Sequence, residues 1–430
     1  MTLNEFIKVI NGTTNLNSEE LIKEIKTDTR KINKGDIFIA LKGKNYNGED
    51  FIDEAIKKGA IACVCEKSIN DKCIEVKDTI DSLCLLGNYI RKKYNIPLIA
   101  ITGSNGKTTT KDLLSFILSS KYNVLNNEGS KNNIIGVSET LFKLNDKHEI
   151  VVMELGTNHI GEISYLSNIC EPNLGIITNI GSSHLEYFKN RKNIFNEKLS
   201  ILNGIKEDKL IINGDDKYLK KLKYFKCGIN KNNNLKAYNI KEYIDHITFN
   251  IYLDKEYEII FNNPGIHFIN DILLAIKVAL DYNIDINTII EKIKEFKLTN
   301  KRMNIIKVKN NTIINDCYNA SLESISGGIN YLKNIKENKL LIIGDILELG
   351  KYSKSIHKKI NKKIKKLTNK EVLTLGKFSK YIKGINFENI DELINYIDKK
   401  NINNTYIYIK GSRRMNLDKV FNYLIKEETI

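Results

Sequence analysis

Two glycines, a lysine and three consecutive threonines stand between an apolar run and a helical pattern in ITGSNGKTTTKDLL, residues 101–114. A phosphate-binding loop needs small residues so that backbone N–H groups can approach the phosphates. It also needs a lysine to offset their charge and a hydroxyl to hold Mg²⁺, at a helix N-terminus. Gly103, Ser104, Asn105 and Gly106 supply the turn, Lys107 the cation and Thr108 the hydroxyl, with Thr109 opening the helix. The strand-like LIAIT before the loop and the helical TTKDLLSFIL after it are the context that gives such a loop meaning. The general pattern asks for a glycine five residues before Gly106, where this chain has Ile101. Nucleotide binding is expected, against the alternative of a plain strand–helix turn.

Other candidates follow strands as well. Glu154 closes the run VVME, and a carboxylate there suits a metal shared with nucleotide phosphates. His184 lies just beyond ITNI, either as a ligand or as a structural histidine. Lys198 sits near the middle of the face formed by Ile194, Phe195, Leu199, Ile201 and Leu202. An inward lysine needs an anionic partner or a chemical change that removes its charge, unless it snorkels to water. Asp316, Tyr318, Asn319 and Ser321 cluster after TIIN, and GDILELG (344–350) and KGSRRM (410–415) follow further strands. Arg413 and Arg414 read as carboxylate or phosphate partners, or as surface charges. Asn270 opens a helical pattern and reads as a ligand or a simple N-cap.

Alternating strand-like and helical runs imply parallel sheets covered by helices. Residues 1–90 read as a small α/β unit with strands in DIFIAL and AIACVC. Residues 91–300 contain PLIAIT, EIVVME, LGIITNI and KLIING, then a less regular stretch at 225–262 that reads as hairpins. Residues 301–430 contain TIINDCYNA, KLLIIGD, EVLTLG and TYIYIKGS. The expected fold class is α/β, with three consecutive α/β domains. The central one is a P-loop-type, mostly parallel sheet covered by helices, and the last is Rossmann-like.

The 430 residues, 42% hydrophobic and 28% charged, are those of a globular chain. No stretch approaches the roughly 18 apolar residues of a membrane span, and MTLNEFIKVI lacks a signal peptide's basic end and apolar core. A cytoplasmic protein without a membrane span is expected. Seven cysteines form no CxxC pair, which fits reduced thiols rather than a disulfide framework or zinc. The net charge of +15 is spread along the chain, so nucleic-acid binding is not expected. An anionic small molecule suits that field better.

The ordered strings TGSNGKTTTK, MELGTNHIGEI, TNIGSSHLEYF, Glu197-Lys198, GIHFIND, NDCYNASLESI, GDILELG and IKGSRRM resemble the Mur ligases of bacterial cell-wall synthesis. The opening TDTRKINKGDIFIALKG (27–43) is similar to that family's uridine-nucleotide-binding domain, so the resemblance spans the chain. The family's loop has the form GxNGKT, which accounts for Ile101. The resemblance implies a monomer in which ATP phosphorylates the carboxylate of UDP-N-acetylmuramoyl-tripeptide. The amino group of D-alanyl-D-alanine then attacks the acyl phosphate.

By the same resemblance, Lys107 would bind the γ-phosphate, Thr108 and Glu154 one Mg²⁺, and His184 a second. Lys198 matches a lysine that the family carbamylates into a metal-binding carboxylate. Asn270 would contact adenine, with Arg302 and Asp316 on the phosphate and ribose side. Asp28, Thr29, Arg30, Lys42 and Gly43 lie in the uridine-nucleotide region. Asn132, Asn133, Asn158 and His159 would line the acceptor channel, and Tyr318, Asn319 and Ser321 the dipeptide end. Two departures stand out: Ser321-Leu322 replaces an Asn-Pro found in many relatives, and NGED (47–50) replaces Asp-Gly-His. The rival readings are another amino-acid ligase of the family, whose DNPR string is absent, a folylpolyglutamate synthase, or a non-catalytic nucleotide-binding regulator.

Overall fold

The computed structural model describes residues 1–43, 46–207, 209–298 and 302–426. Four sheets account for its strands. The first is parallel and four-stranded, running Ile25–Lys26, Ile37–Ile39, Ala62–Cys65 and Cys73–Glu75 from edge to edge. Helix Thr79–Lys93, N-capped by the Asp78 carboxylate, leads from it to Pro97 and the central sheet.

The central sheet has seven strands, all paired in parallel. Leu98–Thr102 lies in its middle, between Ile150–Glu154 on one side and Leu174–Ile177 on the other. That order sets the chemistry. The phosphate loop, Glu154 and the segment leading to His184 all leave neighbouring strands at their carboxyl ends, where open parallel sheets bind ligands. β-Branched and aliphatic runs form these strands because helices cover both faces: every residue of Leu98–Thr102 and Ile150–Glu154 is buried.

The expectation of hairpins across 225–262 holds only in part. Phe225–Gly228 and Leu235–Lys236 extend the parallel sheet, and a three-stranded antiparallel sheet begins at Tyr238–Glu242 and continues through Ile247–Tyr252 and Glu256–Phe261. The final sheet has six strands. Asn304–Val308 pairs antiparallel with Asn311–Asn315, followed in space by Thr405–Lys410, Asn338–Gly344, Lys370–Leu375 and Ile385–Phe387, all parallel. The boundary expected at 300/301 lies outside the described residues.

All seven cysteines are free and buried. Among the described residues no helix is long and apolar enough to cross a membrane.

Candidate functional site

The loop between Thr102 and helix Lys107–Leu118 turns on two glycines with positive φ, +150° at Gly103 and +81° at Gly106. Both are also pressed against neighbours. A Cβ on Gly103 would lie 1.9 Å from the Thr178 hydroxyl, and one on Gly106 2.3 Å from the Asp271 carboxylate. Glycine is therefore required twice over, by conformation and by space. Neighbours fix the loop further. The Gly181 N–H donates to Ser104 Oγ at 2.8 Å, and the Asn105 N–H donates to Asn179 Oδ1 at 3.0 Å.

At the strand end, Glu154 is 2% exposed. Its carboxylate accepts from the Thr108 hydroxyl and from Asn132 Nδ2, both at 2.7 Å. Asn127 holds the same residue by its backbone, accepting from the Glu154 N–H at 2.8 Å and donating to its carbonyl at 2.9 Å. Arg302 reaches across from the far segment and donates to Thr108 Oγ1 at 3.0 Å, while its guanidinium lies 4.2 Å from the centre of the Tyr318 ring.

Thr108, Asn132, Glu154, Arg302 and Tyr318 line a cavity of about 510 Å³ that also takes in Lys107, Thr109, Asn158, His184, Asn270, Asp316 and Asn319. Desolvation holds the Lys107 ammonium below the ordinary lysine range, with Arg302 adding to the effect and Glu154 opposing it. Burial pushes the Asp271 carboxyl up to about 8 and brings His267 down to about 4.

Asn270 is not an N-cap. Helix Phe268–Asp281 starts two residues earlier with His267 in the capping position, so Asn270 lies inside the first turn. Its Oδ1 and the Asn105 Nδ2 are buried without a hydrogen-bond partner. Buried polar atoms are ordinarily paired, so two such atoms on this cavity mark where a polar ligand fits. Among the described residues no three His, Cys, Asp or Glu side chains converge. The donor set of Thr108, Glu154 and His184 suits Mg²⁺, which takes one or two protein ligands and completes its shell with phosphate and water.

Lys198 faces inward. It is 3% exposed near the end of helix Arg191–Leu199, with Ile201 and Leu202 already in the following 3₁₀ turn. Desolvation and then the Lys107 charge hold its pKa well below the ordinary value, against the pull of Glu197, Glu154 and Glu162. Glu197 beside it accepts from the N–H groups of Gly161 at 2.7 Å and Ile163 at 2.8 Å, fixing the loop that carries Asn158 and His159. The His159 ring packs against Tyr187, with centroids 4.8 Å apart.

The remaining expected residues are placed as follows. Asp316 accepts from Lys410 Nζ at 2.5 Å and from the Tyr408 hydroxyl at 3.1 Å. Asn133 N-caps helix Ile134–Leu141. Ser321 N-caps helix Leu322–Leu332 and donates to Asn105 Oδ1 at 2.8 Å, so the Ser321-Leu322 departure serves as a contact with the phosphate loop. Asp28 borders a second cavity of about 630 Å³ between the N-terminal sheet and helix Ile134–Leu141, together with Thr27, Lys131 and Glu139. Arg30 pairs with Asp28 at 2.8 Å, which draws that carboxyl down to about 2. Thr29 is buried beside them, while Lys42 pairs with Glu66 and Gly43 packs on Tyr46, away from that cavity.

Sequence reading did not single out His267, Asp271, Glu323 or Lys410, all of which line the first cavity. Their signal was positional: two flank Asn270 within GIHFIND, and one follows the Ser321 cap.

Models of one family match the sequence across the segments that build this cavity. The Mur ligase family catalytic domain matches residues 21–111, the Mur ligase middle domain 101–279, and the Mur ligase glutamate ligase domain 301–415. The chain belongs to the Mur ligase family. A UDP-N-acetylmuramoyl-tripeptide–D-alanyl-D-alanine ligase of Buchnera aphidicola subsp. Baizongia pistaciae is 37% identical over 406 residues, 90% of this chain and 88% of that one. The Bacillus subtilis protein of the same name is 32% identical, over 93% and 91%. A crystal structure of MurF from Acinetobacter baumannii superposes with a TM-score of 0.93 at 27% identity, covering 99% of this chain and 98% of that one.

Proposed function

We propose that the chain joins D-alanyl-D-alanine to UDP-N-acetylmuramoyl-tripeptide at the expense of ATP, through an acyl phosphate, in peptidoglycan precursor synthesis. It does so as a cytoplasmic monomer of three domains, 1–90, 91–300 and 301–430. The observation that carries this reading is the meeting of Lys107, Thr108 and Glu154 with Arg302 and Tyr318 in one cavity, in a chain so similar to named ligases.

In this reading the tripeptide carboxylate attacks the γ-phosphorus, ADP leaves, and the dipeptide amine then displaces phosphate from the acyl carbon. Lys107 and Arg302 face the transferring phosphoryl group, where fixed cations in a desolvated site stabilise developing charge. Thr108 and Glu154 would hold one Mg²⁺ and His184 a second, which when bound would neutralise phosphate charge. Asn270 takes adenine with its unpaired amide oxygen, and Asp316 lies on the ribose side. Asn132, Asn133, Asn158 and His159 lie along the acceptor channel. Tyr318, Asn319 and Ser321 serve the dipeptide end, and Asp28, Thr29, Arg30, Lys42 and Gly43 the uridine end. Docking of 302–426 over the loop keeps water from the acyl phosphate.

Lys198 is a carbamate in the working enzyme. The neutral amine adds CO₂ and releases one proton, giving an N-carboxylate. Burial that disfavours the ammonium supplies the neutral amine; the new negative charge is drawn to Lys107 and, beside Glu197, Glu154 and Glu162, calls for a further cation to offset it.

The deciding experiment is phosphate release from ATP and Mg²⁺, with the tripeptide nucleotide and D-alanyl-D-alanine supplied separately and together. Release that needs both, with a product heavier by the dipeptide less water, is expected. Release with the nucleotide and a different amino acid would reassign the acceptor. No release in any combination would overturn the reading in favour of a non-catalytic nucleotide binder.

A further inference from the structure

The string GDILELG, residues 344–350, has no part in the chemistry described so far. Its neighbours build it into a rigid bracket. The Asp345 carboxylate accepts from the N–H groups of Phe378 at 3.0 Å and Ser379 at 2.6 Å. The Leu347 N–H donates to the Ser412 hydroxyl at 2.9 Å. The Ile346 N–H donates to Nε2 of the buried His357 at 3.2 Å, and His357 Nδ1 lies 2.7 Å from the Ser353 carbonyl oxygen.

At the tip of the bracket Glu348 takes a left-handed backbone, φ +60°, and its carboxylate hydrogen-bonds Nδ1 of His184, itself at φ +57°. Non-glycine residues rarely hold that conformation, and they keep it where the surroundings over-determine it. Here two of them, 164 residues apart, meet face to face. Adjacent contacts seat the two segments: the Glu186 N–H donates to the Glu348 carbonyl at 3.0 Å, and the Tyr352 hydroxyl donates to the Lys189 carbonyl at 2.7 Å. Arg414 approaches the same carboxylate at 3.8 Å.

We infer that Glu348 is a positioning residue for His184. Its carboxylate engages Nδ1 and leaves Nε2 as the ring's remaining donor for Mg²⁺ in the cavity. A carboxylate on the far nitrogen fixes both the tautomer and the ring orientation of a metal-ligating histidine. The carboxylate comes from the C-terminal segment and the histidine from the central one. The second metal site is therefore complete only when the two are docked, and metal loading is coupled to closure. This inference rests on the proposed role of His184.

The test compares full-length Glu348→Ala, Glu348→Gln and Tyr352→Phe with the unaltered enzyme. Mn²⁺ binding is read by electron paramagnetic resonance with a non-hydrolysable ATP analogue, and the Mg²⁺ dependence of ligation is followed beside it. Glu348→Ala is expected to weaken the second Mn²⁺ and raise the half-saturating Mg²⁺ by about 10- to 100-fold. Glu348→Gln, which keeps the volume and an acceptor oxygen, shifts both less in the same direction and stands in if the alanine variant fails to fold. Tyr352→Phe removes one neighbouring hydrogen bond of the same docking surface without touching His184 and should shift both far less than Glu348→Ala. Equal Mn²⁺ binding in all four proteins would overturn the inference, as would a shift in Tyr352→Phe as large as that in Glu348→Ala. Failure of the unaltered enzyme to ligate would instead overturn the functional reading.

Discussion

The loop around Lys107 and the residues proposed for the uridine end are built in opposite ways. Around the loop, Thr108, Glu154, Asn127 and Asn132 satisfy one another in a buried network, with charges held off their ordinary pKa values nearby. In the N-terminal segment, the Arg30 side chain, in the 3₁₀ turn Thr29–Lys31, is 82% exposed, and Lys42, in a loop, holds a partly exposed pair with Glu66. Phosphoryl transfer asks for groups fixed before the substrate arrives, because their reorganisation would otherwise be added to the barrier. Holding a remote nucleotide handle asks only for affinity, which solvated side chains can provide after encounter.

Substitutions can break that contrast or sharpen it. The largest effect should come from Lys107→Ala, a loss of about a thousandfold or more in kcat, read by phosphate release from correctly folded protein. Lys198→Ala should also abolish ligation, without rescue by excess bicarbonate. Full activity there would remove the carbamate, and a ¹³C resonance from labelled CO₂ on the unaltered enzyme would establish it. Asn270→Leu should weaken nucleotide binding about tenfold, the worth of one hydrogen bond from a buried group, by calorimetry. The nucleotide-free variant should melt no lower, since the oxygen removed has no partner there.

On the other side of the comparison, Arg30→Ala should raise KM for the uridine nucleotide about tenfold with kcat within about twofold. A kcat loss like that of Lys107→Ala would erase the distinction between the two regions.

A further effect, on stability rather than activity, concerns pH. Burial raises Asp271 from 3.8 to about 8, so the folded protein retains a proton that the unfolded chain releases. Stability should therefore fall as pH rises from about 4 towards 8 and level off above. Asp271→Asn lacks that slope, and its melting temperature relative to the unaltered protein should climb between pH 5 and 8. A constant gap across that range would show that Asp271 is ionised throughout.

Much of the loop chemistry was legible because it is local. Gly103 to Thr109 are consecutive, and the apolar periodicity around Lys198 spans barely two turns. Elements that depend on distant partners were not. Val124–Asn126 is a three-residue edge strand defined by its pairing with Ile150–Glu154, and no run that short carries a signal of its own. Phe225–Gly228 reads like a hairpin arm until Leu210–Asn213 claims it. Asn270 resembles an N-cap because its residue type favours that position, whereas the helix already begins at Phe268, after a turn in which Gly265 holds φ +122° and accepts from the Phe268 N–H. Glu348 could be noticed only as part of a string, since its meaning lies in His184, far away in sequence.

The burial of every cysteine also has a practical side. Thiolates are the species that alkylating reagents attack, and burial pushes the Cys63, Cys65, Cys170 and Cys317 thiols up to about 12. The unmodified chain should be nearly silent to maleimide dyes while folded. A pair of cysteines introduced at exposed positions, such as Lys217 and Lys351, would then be the reactive sites. Fluorophores placed there would report the approach of the C-terminal segment to the central one in a single molecule, with no native cysteine removed.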